Sequence, residues 1–68
     1  MFKIGDKVVM ATATSGVIPI GAKGVVQDTD EGGVYNIIVD FGDTLSRHGN
    51  RIGRGWRMNE SELKHDHA

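Results

Sequence analysis

All four arginines of the chain, Arg47, Arg51, Arg54 and Arg57, fall within eleven residues that contain no acid. His48, Gly49, Asn50, Gly53, Gly55 and Trp56 are interleaved with them. A guanidinium presents a planar fork of donors that matches phosphate or carboxylate, and glycine lets the backbone approach a ligand closely. An aromatic ring nearby can stack on a base or on a guanidinium. Residues 44–57 are therefore the candidate grip for a polyanion or an acidic protein face. Arg47, His48, Arg51, Arg54 and Arg57 are its contacts, and Lys23 is a further basic candidate. The competing reading is a solvated connection whose arginines pair with Asp40, Asp43, Glu60 or Glu62. Charge is uneven along the chain: residues 1–43 hold three lysines against six acids, and residues 44–68 hold five bases against three. The whole carries a formal charge of -1, which lacks the basic excess usual in nucleic-acid modules.

Other chemistry is poorly supplied. There is no cysteine, so neither a disulfide nor a thiolate zinc site can form. His65-Asp66-His67 holds metal-ligand types but reads as part of a solvated tail, residues 65–68, with no partner cluster elsewhere. Ser15, Ser46 and Ser61 have no accompanying histidine and acid that would make a nucleophile. Gly21-Ala22-Lys23-Gly24 lacks the Gly-Lys-Ser/Thr ending of a phosphate-binding loop. Asp28, Asp30 and Glu31 flank a turn, where exposed carboxylates are ordinary. No enzyme activity, cofactor or bound metal is expected. Val9, Val25 and Ile38 sit at the outward parity of three strands, which makes them a candidate apolar interface.

The elements that must position these residues are strands. Seven valines, six isoleucines and four threonines make up a quarter of the 68 residues, against two leucines, and branching at Cβ favours a pleated surface. Ten glycines scattered through the chain argue against long helices. Alternation predicts strands over Lys7 to Ala13, Ala22 to Asp28, Tyr35 to Phe41, Gly55 to Met58 and Glu62 to Lys64. Thr14-Ser15-Gly16 breaks the first of these. Glu31-Gly32-Gly33 predicts a tight hairpin turn with glycines at positive φ. Gly24 marks a close backbone approach or a bend. The inward set is Val8, Met10, Ile18, Val26, Tyr35, Ile37, Val39, Phe41, Trp56, Met58 and Leu63. No apolar run approaches the ~20 residues of a membrane span, and Met1-Phe2-Lys3 opens no signal peptide. A soluble, cytoplasmic single domain over residues 1–64 is expected.

The order of these signals resembles an SH3-like β-barrel of the KOW type. Gly5-Asp6-Lys7-Val8 comes first, then Ile18-Pro19-Ile20-Gly21-Ala22-Lys23-Gly24-Val25-Val26. A strand ending Val39-Asp40-Phe41 follows, then Trp56-Arg57-Met58 and Glu62-Leu63. The likeness spans residues 4–64. It implies an all-β, five-stranded barrel with one long Arg/Gly-rich loop before the fourth strand. Barrels of this pattern occur in transcription and translation factors, photosynthetic accessory subunits and small phage- or plasmid-encoded proteins. They bind RNA, DNA or proteins. The expected function is a non-catalytic module that engages a protein, or a nucleic-acid-associated assembly, through residues 44–57. Direct binding of RNA or DNA phosphates by the same arginines is the alternative.

Overall fold

The computed structural model describes residues 1–12 and 16–66. The expected strand end at Ala13, the Thr14-Ser15 break and His67-Ala68 lie outside those residues. Five strands form in chain order: β1 (Lys7–Met10), β2 (Lys23–Thr29), β3 (Ile37–Asp40), β4 (Trp56–Met58) and β5 (Leu63–His65). They make one antiparallel sheet ordered β4-β3-β2-β1-β5. A 3₁₀ turn, Glu60–Glu62, separates the last two strands.

Alternation along each strand decides which side chains meet. Val8 and Met10 of β1, Val26 of β2, Ile37 and Val39 of β3, Met58 of β4 and Leu63 of β5 are all buried in one cluster. A single sheet has no second layer to cover its apolar face, so it must curl for these residues to reach one another. Its two edge strands, β4 and β5, do not pair with each other, so the curl stays open. Ile18, Ala22, Phe41 and Ile52, from the connections, complete the core, and Phe2 and Trp56 pack against it half-buried.

Two local features shape the pairing of β2 with β3. Between β2 and β3 the register shifts at Val26/Asp28, which leaves Gln27 as the extra residue of a bulge. Its side chain is not wasted: Gln27 Oε1 accepts the Gly55 N–H at 3.1 Å, tying the start of β4 to β2. Gly24 lies where β2 passes closest to the end of β3. A methyl group there would sit 2.7 Å from Val39 Cγ1 and 3.0 Å from the Asp40 carbonyl oxygen.

Four expectations need correction. Tyr35 is 58% exposed, because β3 begins only at Ile37 and Tyr35 lies in the connection before it. Neither Gly32 nor Gly33 has a positive φ. The Asp30 carboxylate accepts the Gly32 N–H at 3.1 Å and the Asp30 N–H donates to Asn36 O at 2.8 Å, so a wider connection replaces the tight turn. The first strand ends at Met10. The fold also continues past Lys64: His65 is the last residue of β5, half-buried, and the Asp66 N–H donates to Lys7 O at 2.9 Å. His65 finds partners that its position in sequence does not suggest. Its ring lies 4.5 Å from that of Phe2, and its Nε2 is 3.1 Å from Asp6 Oδ2.

Candidate functional site

The arginine-bearing stretch between β3 and β4 is tied down by its own backbone. The Phe41 N–H donates to Gly53 O at 2.8 Å, Gly53 N–H to Gly42 O at 3.1 Å, and Ile52 N–H to Thr44 O at 3.0 Å. Leu45 and Arg51 form an antiparallel bridge, and beyond it the Ser46 N–H donates to Asn50 O at 2.7 Å. Gly49 turns the tip with φ +84°. Ser46 is buried beneath that tip, and its Oγ accepts the N–H groups of His48 and Asn50, each at 3.2 Å. The Arg47 N–H donates to Val17 O at 3.1 Å, and Thr44 Oγ1 donates to Lys23 O at 3.0 Å. Ile52 plugs the core, and its carbonyl accepts the Trp56 indole N–H at 2.9 Å.

These constraints sort the basic candidates into groups instead of one grip. Arg51 Nε reaches Asp43 Oδ1 at 3.1 Å, with both side chains largely exposed, so the pair contributes little stability. Arg57 lies on the outer face of β4, and its Nη1 is 3.2 Å from Asp30 Oδ2. The Asp30 carboxyl is held below its ordinary value, first by the Gly32 N–H and then by Arg57. Lys23 belongs to the outer face of β2, where its ammonium is 3.8 Å from Asp66. Arg47, His48 and Arg54 are exposed and have no acid partner among the described residues. Solvated pairing thus accounts for Arg51 and Arg57. Asp43 is the partner anticipated for one, and Asp30 is an unanticipated partner for the other.

The apolar candidates lie on the outer face, but the register hems them in. Val9 has Lys23 and Lys64 as its cross-strand partners. Val25 has Lys7 and Asp40, and Ile38 has Asp28 and Arg57. No two of the three are directly opposite; they meet only along a diagonal, about 7–8 Å per step. Val25 is 42% exposed, whereas Val9 and Ile38 are half-buried. The result is a narrow apolar diagonal bracketed by charge.

Two features are hidden in the linear sequence. Exposed Leu45 and Val17 lie beside Arg47, one through the alternation around buried Ser46 and the other through the Arg47–Val17 hydrogen bond. The outer face of β2-β1-β5 also gathers Lys23, Lys7 and Lys64 around Val9. The outward parity of each lysine is visible in the sequence, but their neighbourhood depends on strand order. The buried Glu62 carboxylate plays a structural part, accepting the Asn59 N–H at 2.9 Å in a capping box that starts the 3₁₀ turn. Among the described residues, every buried side-chain polar atom has a partner and no three ligand-type side chains cluster as a metal site would require. Set against protein-family models, curated proteins and solved structures, the chain matches none of them.

Proposed function

We propose that the protein is a non-catalytic binding module, an SH3-like curled sheet that engages an acidic protein partner through residues 44–57. The observation that carries this reading is the tip itself. Arg47 has no acid partner among the described residues, is anchored through its backbone to Val17, and stands beside exposed Leu45 and Val17. Arginine next to apolar surface is the composition of interface centres, and preorganised backbone lowers the ordering cost of binding. His48 and Arg54 extend the basic surface on the same segment.

Exposed Leu45 and Val17 beside Arg47 support a protein partner over a polyanion for this tip. The test is capture from the source cell with the immobilised chain, after nuclease treatment, comparing wild type with Arg47→Ala/Arg54→Ala. A stoichiometric protein complex that survives nuclease and is lost in the double variant is expected. A complex that vanishes with nuclease points to direct RNA or DNA binding instead. A complex retained by the double variant overturns the role of the tip.

A further inference from the structure

We infer that the outer face of β2-β1-β5 is a second, separate binding site, which takes the phosphate backbone of duplex nucleic acid. The cross-strand register places Lys23 and Lys64 on either side of Val9, and Lys7 is two residues from Val9 on the same face of β1. Strand spacing puts the Cα atoms of Lys23 and Lys64 about 10 Å apart, with Lys7 about 7 Å from Val9 along the strand. Three ammonium groups thus share a small patch of one sheet face.

Each of the three lysines has a valine as its cross-strand partner, so the register itself gives none of them a carboxylate directly opposite on that pair. Of the three, only Lys23 is ion-paired among the described residues, to Asp66 at 3.8 Å; that carboxylate, its side chain 18% exposed, belongs to the residue whose N–H donates to Lys7 O. Lys7 and Lys64 have no ion-pair partner among the described residues. Asp40, opposite Val25, marks where the basic area stops on the β3 side, and its Oδ1 already accepts the Gly42 N–H at 2.8 Å.

The composition of the face selects the class of partner. Protein interface centres are enriched in arginine and aromatic residues and depleted in lysine; the β2-β1-β5 rows carry three lysines and two valines, with Asp66 beside Lys7 as the one acid and no arginine or aromatic ring. Unpaired bases would call for stacking rings, and none stands on these rows. A duplex asks for neither. It offers one phosphate charge per about 1.7 Å of axis, and lysine meets such charges as a mobile point cation without reading sequence. Acids crowd the far end of β2 and its connection to β3, at Asp28, Asp30 and Glu31, so a polyanion would be steered to the lysine end.

The experiment is a fluorescence titration with a 20-base-pair random-sequence DNA duplex and the same single strand, repeated from low to moderate salt. Wild type is expected to bind the duplex weakly, and without sequence preference, with log K falling against log salt at a slope of about -2.7 for three contacts. Lys7→Gln/Lys64→Gln, two exposed positions that leave the core untouched, should lower that slope by about 2 units. Lys7→Arg/Lys64→Arg should restore it, and Arg47→Ala/Arg54→Ala should bind duplex as wild type does. No duplex binding at low salt overturns the inference, as do a double-glutamine variant with unchanged slope and a loss that follows the arginines instead. A single strand bound more tightly than the duplex overturns the choice of partner. The arginine variant separates the two sites: it loses the protein complex while keeping the duplex.

Discussion

Single residues in this fold are constrained most where the backbone comes close. Gly24 is the sharpest case, because the obstacle includes the Asp40 carbonyl and not merely the end of a flexible side chain. Gly24→Ala is expected to cost about 1–3 kcal/mol through overpacking, read as a lowered urea midpoint with little change in slope. An unchanged midpoint would mean that β2 and β3 can separate locally at no cost. The close approach at this glycine is legible in the sequence, since an interior strand glycine has few other uses. Tyr35 shows the opposite: alternation continues one step further in the sequence than pairing does in the sheet. Gly32 and Gly33 mislead because the Asp30 side chain supplies the turn that two left-handed glycines would otherwise make.

Elements explain what single residues could not. Val8, Met10, Ile37, Val39 and Met58 are legible because a period of two is written into any half-buried strand. Ile52 is not, since its burial depends on hydrogen bonds that fold residues 41–53 back on themselves. The same ladder turns the arginine segment from a composition into a geometry, holding Arg47 beside Val17 while Arg51 turns to Asp43. At the other end of the chain, β5 is completed by side chains from before β1. Removing residues 65–68 deletes the ring contact with Phe2, the bond to Asp6 and the Asp66–Lys7 hydrogen bond. A melting temperature lower by several degrees is expected, since about 1 kcal/mol moves a domain of this size by about 4–8 °C. A truncated chain that melts with the full one would restore the reading of these residues as a mere tail.

Across the whole molecule, charge is arranged by end and by face more than by amount. Strand order brings together lysines that lie far apart in the sequence, which is why linear charge counting points only to the arginines. Acid should weaken the fold through two carboxylates. The Lys3 N–H, and after it His65, hold Asp6 below its ordinary value, and Asp30 is held down by Gly32 and Arg57. A depressed carboxyl contributes fully above the unfolded value, about 3.9, and loses that contribution as pH falls through the folded one. The urea midpoint should therefore fall as pH drops below about 4, and Asp6→Asn/Asp30→Asn should flatten that dependence. An equally steep fall in the double variant would assign acid sensitivity to other groups.

The order β4-β3-β2-β1-β5 also has a consequence in time. β2 and β3 pair across one connection, but Val8 meets His65 only when nearly the whole described chain has been drawn together. Closing so long a span is entropically unfavourable before its contacts form, so topology of this kind folds in about milliseconds to seconds, not microseconds. During synthesis β1 stays without its second neighbour until Leu63–His65 have left the ribosome. The N–H and C=O groups along that edge of β1 remain open to other strands, and to chaperones, for that interval.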